Sequence, residues 1–188
     1  DRVDELYGHK PDTVIFVNDT IYRWINDTIT TDLSPIYEML RQLTSITEVN
    51  VSGNKLITNL DPLSELSDLR ILNCSGTNVS DLTPIRNLNG IKELDISNTN
   101  VTDISKLKYA NIVQIFKADN NKIDDVSIVE YFKELNYLSM SNTEVSDISS
   151  LSGCDNLKTL NLSGTLVNDL TPLSKSFQLH DLDVSNTY

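Results

Sequence analysis

Apolar and polar residues alternate along most of this chain in a pattern that repeats every 22 residues. The copy that starts at Leu69 has apolar residues at its first, fourth and sixth positions, and three more follow after a polar stretch. Self-similarity at a fixed period of this size is the sequence signature of a solenoid, in which each copy forms one coil. We number the coils in chain order: they begin at Ile46 (coil 1, with one extra residue), Leu69, Ile91, Val113, Leu135, Leu157 and Leu179 (coil 7, incomplete).

Each coil opens with the short alternation that is typical of a half-buried β-strand. A single strand of this kind cannot bury its apolar side, so stacked coils should pair as a parallel sheet with strands about 4.8 Å apart. The eighth position of every coil is glycine or asparagine. We predict a positive φ at this position, because other residues incur a steric cost there. The seven residues are Gly53, Gly76, Asn98, Asn120, Asn142, Gly164 and Asn186.

Three further polar columns follow the strand. The ninth position is asparagine or threonine and should point inward, where we predict hydrogen bonds to backbone groups of neighbouring coils. An aspartate column comes next (Asp81, Asp103, Asp125, Asp147, Asp169). Stacked carboxylates about 5 Å apart would repel, so we expect each to accept N–H groups of its turn rather than to bind metal. Predicted N-caps of short helices follow, with proline after three of them: Asp61, Thr83, Ser105, Ser127, Ser149 and Thr171.

Written out, the unit is LxxLxLS(N/G)(T/N)xVxDLxPL, which resembles a leucine-rich repeat. The variant with DLxPL or DIxxL is similar to the repeats of the bacterial internalins, and also to those of a eukaryotic phosphatase-regulator group. The resemblance implies an α/β fold, a leucine-rich-repeat solenoid with a curved parallel sheet on its concave side and short 3₁₀ or helical returns on its convex side. It also implies a non-enzymatic module that binds another protein on the concave sheet. A bacterial secreted or cell-surface location is favoured, with the cytoplasm as the alternative.

Residues 1–45 do not follow the repeat and are interpreted as an N-terminal cap made of a strand, a degenerate repeat and a short helix. The strand is predicted at residues 13–17, where it would cover the open edge of coil 1. The degenerate repeat is predicted at residues 26–36 and the helix at 35–43. The leucine-rich repeats occupy residues 46–188. Because the chain begins with Asp rather than Met and ends where another turn is due, we expect an excerpt of a longer protein.

Composition narrows the classes of partner and chemistry. The formal net charge of −12 argues against nucleic acid or an anionic membrane as a partner, and no apolar window approaches the roughly 18 residues of a membrane span. Cys74 and Cys154 occupy core columns more than three coils apart, so we expect buried free thiols. His9 and His180 lie at opposite ends of the chain, and no nucleophile, phosphate-binding or calcium-loop motif is present. We predict a monomer without enzymatic activity, metal or cofactor.

The side chains that flank the core leucines of each strand should form the concave face. Ile115 and Tyr137 lie on adjacent predicted strands beside Lys117, ringed by acids, which is the pattern of an interface anchor with a polar rim. The acidic face favours a partner protein with a basic surface. The predicted partner-binding residues are Ile71, Glu93, Asp95, Ile115, Lys117, Asp119, Tyr137, Asp181 and Asp183. Two alternatives stay open: a structural spacer or scaffold that uses its ends or convex side, and a regulatory subunit of an enzyme.

Overall fold

The computed structural model describes residues 46–187 and the backbone of residues 13–15. The predicted degenerate repeat at residues 26–36 and the predicted helix at 35–43 lie outside the described residues. The division into a cap at residues 1–45 and repeats at 46–188 therefore stays a prediction.

Eight strands of three residues form one parallel sheet in chain order. Every strand residue pairs with its equivalent in the next coil, as Leu94 does with Phe116. A slip of one residue would turn the core column towards solvent, so the hydrophobic pattern fixes this register. The predicted N-terminal strand is confirmed at Thr13–Ile15, which pairs with the strand of coil 1. The strands are β1 (Thr13–Ile15), β2 (Glu48–Asn50), β3 (Ile71–Asn73), β4 (Glu93–Asp95), β5 (Ile115–Lys117), β6 (Tyr137–Ser139), β7 (Thr159–Asn161) and β8 (Asp181–Asp183).

Six short 3₁₀ helices return the described coils on the convex side: η1 (Asp61–Leu63), η2 (Thr83–Ile85), η3 (Ser105–Leu107), η4 (Ser127–Tyr131), η5 (Ser149–Gly153) and η6 (Thr171–Lys175). The N-cap prediction is wrong, because the predicted caps are the first residues inside these helices. Proline accordingly holds the second helical position in η1, η2 and η6 rather than the first. It is tolerated there because the first N–H groups of a helix have no intrahelical partner.

The aspartate column caps the helices instead. Asp103 Oδ1 accepts the backbone N–H of Ser105 at 2.8 Å, and Asp147 Oδ1 accepts that of Ser149 at 2.8 Å. Asp81, Asp125 and Asp169 make the same contact in coils 2, 4 and 6. The prediction that these carboxylates accept turn N–H groups is confirmed, and the helix-start signal lies two residues earlier than predicted.

These hydrogen bonds lower the pKa of several carboxyls. The main cause is the Ser105 hydroxyl for the pKa of Asp103 and the Ser149 backbone N–H for the pKa of Asp147. The Asp103 charge opposes the lowering of the Asp81 pKa, but it is the weakest of the influences on that group. Hydrogen bonding therefore outweighs the repulsion between stacked carboxylates.

We expect Asp103→Asn and Asp147→Asn to lower the melting temperature at neutral pH. Both folded-state pKa values lie below the unfolded value of about 3.9, so each carboxylate stabilises the fold above that pH. This stabilisation is lost as the pH falls through the folded-state pKa. The difference from wild type should therefore shrink in a melting series from about pH 6 towards pH 2. Asp124→Asn, an exposed aspartate outside the column, is the control. A variant that melts higher than wild type at neutral pH would mean that repulsion dominates.

The positive-φ prediction is confirmed at all seven turn positions, with φ of 57° at Asn120 and 69° at Gly164. The N–H of such a turn residue donates to a carbonyl of the next coil, as Asn120 does to Ser141 at 2.8 Å and Gly53 to Ser75 at 2.7 Å. The left-handed conformation thus extends the hydrogen-bond ladder of the sheet beyond the strand ends.

One contiguous hydrophobic core runs through the coils from Ile46 to Val167. At its middle, the rings of Phe116 and Phe132 pack edge to face with centroids 5.7 Å apart. Cys74 and Cys154 are buried free thiols, as predicted. Burial raises the pKa of Cys74 to about 12.

The inward polar column departs from its prediction. The hydroxyls of Thr77 and Thr143 donate to carbonyls three residues earlier in their own coils, at 2.7 Å in both cases, and not to neighbouring coils. A threonine side chain is too short to reach further. The longer Asn121 does bridge two coils, since its amide donates to the Ile96 carbonyl at 2.9 Å and accepts the Thr99 N–H at 2.8 Å.

Candidate protein-binding face

The concave face presents two rows of side chains, from the first and the third residue of each strand. The first row contains Ile71, Glu93, Ile115, Tyr137 and Asp181, and the second contains Asp95, Lys117 and Asp183. Asp119 lies in the turn after β5 and belongs to neither row. Eight of the nine residues predicted for binding therefore share this face.

A compact cluster stands in the middle of the face. Ile115 pairs with Tyr137 in the register of β5 and β6, and the Lys117 ammonium lies 5.7 Å from the centre of the Tyr137 ring. This distance is within the range of a cation–π contact. On the other side, Glu93 pairs with Ile115 and Asp95 with Lys117. We call these five residues the central cluster.

The other predicted residues lie apart from the central cluster. Ile71 is separated from Ile115 by the strand that carries Glu93. Asp181 and Asp183 are on β8, three strands from β5 and thus about 14 Å away at the usual strand spacing. The Asp183 carboxylate is engaged in its own turn, where it accepts the Ser185 N–H at 2.9 Å. The nine residues do not form one continuous patch.

Most side chains of the second row make the same hydrogen bond at the end of their strand. Asn73 Oδ1 accepts the N–H of Ser75 at 3.0 Å, and Asp95 Oδ1 accepts that of Ser97 at 3.0 Å. The same contact forms at Asn50, Asn161 and Asp183. It is an Asx turn, in which a short polar side chain accepts a backbone N–H two residues further on. Coils 4 and 5 carry Lys117 and Ser139 at this position instead. Lysine offers no acceptor.

Asp119 supplies the acceptor that coil 5 lacks. Its Oδ1 accepts the Ser139 hydroxyl at 2.6 Å, the Ser141 N–H at 2.7 Å and the Ser141 hydroxyl at 2.8 Å. The Asp119 carboxylate of coil 4 thus accepts the serine N–H of coil 5, just as Asn73 accepts the equivalent N–H within its own coil 2. Sequence reasoning assigned Asp119 to binding and missed this supporting role. The signal was present in the aligned repeats, where aspartate replaces serine in one coil and serine replaces Asx in the next.

Comparisons with known proteins agree with this geometry. A family model of leucine-rich repeats, two copies long, matches residues 67–109 and 133–175. Internalin C2 of Listeria monocytogenes superposes with a TM-score of 0.77 at 28% identity, over 79% of this chain and 65% of that one. The chain is an internalin-like leucine-rich-repeat protein. The internalin InlF of Listeria monocytogenes is similar over 83% of this chain and 51% of its own, at 26% identity and a TM-score of 0.67.

A leucine-rich-repeat protein of Leptospira interrogans shares the fold at 18% identity, with a TM-score of 0.66 over 81% of this chain and 46% of that one. No curated protein sequence matches significantly. This internalin-like chain spans 65% and 51% of the lengths of the two internalins. Leucine-rich-repeat solenoids typically serve as protein-interaction modules.

Within the described part of this internalin-like protein, no group of three or more His, Cys, Asp or Glu side chains is placed to hold a metal ion. None of its described helices has the length and apolar character of a membrane span. Among the described residues of β2 to β8, the concave face offers an apolar pair, one cation and a carboxylate border.

Proposed function

We propose that this internalin-like domain acts as a monomeric, non-enzymatic module that binds another protein on its concave sheet. Ile115 and Tyr137 form the anchor of the proposed site, and Lys117 holds the Tyr137 ring from one side. The observation that carries the proposal is this pairing of two large, half-buried apolar side chains on adjacent strands of a face that, apart from Ile71, is polar along β2 to β8. Anchors of this kind, at the centre of a patch and fixed before binding, are where interfaces concentrate their binding energy.

The support given by Asp119 strengthens the proposal. Regular coils need an Asx residue at the positions of Lys117 and Ser139 to close the strand end, so a lysine there removes a structural contact. The Asp119 N–H, which Lys117 leaves without an Asx acceptor, donates to the Ser97 hydroxyl of coil 3 at 3.2 Å. The Asp119 carboxylate restores the contact that Ser139 does not make in coil 5. A compensated departure from the repeat is more readily explained by a function of Lys117 than by drift, because drift alone leaves the loss uncompensated.

The acidic border indicates the charge of the partner. Glu93 is exposed and Asp95 half-buried beside the anchor, and the domain carries a net charge of −12. A partner with a basic surface would be steered towards this face, and rim charges act mainly on the association rate and its salt dependence. Lys117 would then pair with an acceptor at the centre of the contact. A spacer that uses only its ends has no need for the apolar pair, so the central cluster favours binding over that alternative.

The anchor is tested by the double variant Ile115→Ser with Tyr137→Ala. A photo-reactive phenylalanine derivative at residue 137 would first identify the partner by cross-linking, and the purified partner would then be titrated against each variant. We expect the double variant to bind at least about 30-fold more weakly, since truncation of central anchors typically costs about 2 kcal/mol or more. Its melting temperature should change little, because surface substitutions usually alter stability by less than about 0.5 kcal/mol.

The matched control is Leu56→Ser with Leu166→Ser, which removes two exposed apolar side chains outside the concave rows. It should bind as wild type does. If the anchor variant retains full affinity for its partner, the concave assignment is wrong and the spacer role takes its place. If the partner is an enzyme whose rate changes on binding, the domain is a regulatory subunit that uses the same face.

A further inference from the structure

A second feature lies away from the concave face, on the edge where the 3₁₀ returns lead into the next strand. Tyr109 and Tyr131 occupy the same repeat position in coils 3 and 4, and their side chains are 52% and 47% exposed. Other coils carry Glu65, Asn87, Gly153 and Lys175 at this position. Two consecutive coils therefore place two large aromatic rings side by side, at a position where the other coils carry a polar residue or glycine.

The rings border a cleft of about 370 Å³, whose other walls are Asn89, Lys108, Asn111 and Lys133. We call it the lateral cleft. The Lys108 ammonium lies 4.9 Å from the centre of the Tyr109 ring. The backbone N–H of Lys133 donates to the Asn111 carbonyl at 3.2 Å, which ties the two coils together on this side. The residues that line the lateral cleft therefore belong to coils that are joined by a backbone hydrogen bond.

The charges of the lateral cleft differ from those of the whole domain. Salt bridges among the described residues join Arg70, Lys106 and His180 to aspartates, and neither cleft lysine takes part in one. Two carboxylates that neighbour the lysines in the chain interact with other groups. The neighbouring Glu130 carboxylate raises the pKa of the Tyr131 hydroxyl, and Glu134 accepts the Gln114 amide at 2.8 Å. On a domain of net charge −12, the cleft thus combines two unpaired cations with exposed apolar surface.

We propose that the lateral cleft is a second protein-docking site, which receives an acidic peptide segment of a partner protein. In this arrangement an apolar side chain of the segment lies between the two tyrosine rings. Carboxylates on either side of it reach Lys108 and Lys133, and the Asn89 and Asn111 amides meet its backbone. Tyrosine suits such a contact because it buries a large area at little cost in conformational entropy. Charge complementarity selects the acidic segment, since neither ammonium group forms a salt bridge with any residue that the structure describes.

The test uses fluorescence anisotropy of a labelled short peptide in which glutamates flank one phenylalanine. The same peptide with lysines in place of the glutamates is the ligand control. We expect the wild-type domain to bind the acidic peptide and not the basic one. Lys108→Glu with Lys133→Glu, and separately Tyr109→Ala with Tyr131→Ala, should each weaken binding by at least about tenfold, as expected for residues that form the site.

Two variants of the domain are controls. Lys122→Glu with Lys175→Glu makes the same change in net charge at exposed positions outside the cleft, and it should bind within about twofold of wild type at an ionic strength where the Debye length is about 8 Å. Ile115→Ser with Tyr137→Ala leaves the lateral cleft intact and should also bind normally.

Three results would overturn the proposal. One is equal binding of the acidic and basic peptides, and another is normal binding by the two cleft variants. The third is binding of an acidic oligosaccharide, such as oligogalacturonate, in the cleft without any binding of the peptide, which would make the site one for carbohydrate. Circular dichroism melts of all variants should show that the fold persists, since the substituted side chains are exposed, apart from the half-buried Ile115 and Tyr137.

Discussion

Phe116→Ala is expected to lower the free energy of unfolding by about 3–5 kcal/mol, the usual cost of removing a buried aromatic ring. Phe116 is fully buried in the middle of the sheet, and its ring meets Phe132 edge to face with centroids 5.7 Å apart. The loss combines the transfer energy of the ring with a cavity that the rigid coils on either side cannot close. Urea unfolding monitored by circular dichroism measures it.

The matched control is Leu182→Ala, in the same repeat position of β8, where the side chain is 45% exposed. This truncation leaves no closed cavity and should cost clearly less than the Phe116 variant. Equal losses of unfolding free energy would mean that core packing stabilises the middle of the sheet no more than it stabilises β8. Phe116→Leu introduces the residue that neighbouring strands carry. Its loss of unfolding free energy should lie between those of Phe116→Ala and Leu182→Ala.

Asp119→Ala is expected to cost about 2 kcal/mol, because it leaves buried hydrogen-bonding groups of coil 5 unsatisfied. The Ser139 hydroxyl and the Ser141 N–H both lose their acceptor. Ser139→Asn in the Asp119→Ala background should recover most of this loss, since an asparagine at that position accepts the N–H two residues on in other coils, as Asn73 does for Ser75. The measurement is a double-mutant cycle of unfolding free energies.

Ser139→Asn alone should stabilise little, because the Ser141 N–H already has its acceptor and the new amide would crowd the Asp119 carboxylate. Asp124→Ala, at an exposed position in the same coil, is the control for loss of a negative charge. If Asp119→Ala costs nothing, or if the asparagine gives no rescue, Asp119 does not replace the Asx turn. The support that Asp119 gives to a binding role of the concave face would then be lost.

Most of the fold follows from the repeat. Apolar columns at fixed spacing specify the strands and their register, and the restriction of one column to glycine and asparagine specifies its positive φ, as at Asn120 and Gly164. The errors concern hydrogen bonds that a pattern of residue types does not distinguish. Ser105 is as good an N-cap by type as Asp103, but the carboxylate two residues earlier reaches the free N–H. Thr77 bonds within its own coil because its hydroxyl cannot reach the next one.

The central cluster could also be predicted from the sequence, because strand pairing alone places Ile115 beside Tyr137. The role of Asp119 as an acceptor for coil 5 could not be predicted, since it depends on a carboxylate that reaches the next coil. The lateral cleft was missed for a different reason. Its tyrosines occupy a return segment, where exposed aromatic residues show no periodic signal, and their proximity to Lys108 and Lys133 appears only once the coils are stacked.

The arrangement of contacts also sets how the domain responds to mechanical load. Within residues 46–187, each strand packs against the strands before and after it in the chain, and each 3₁₀ helix does the same with its neighbours. The hydrogen bonds that join coils run along the solenoid axis, so a pull on the two ends along that axis opens one coil junction at a time instead of shearing many together. Each released coil of 22 residues would add about 70 Å of extended chain. The domain is therefore stiff under small loads, but under a sustained pull it would lengthen in steps of one coil.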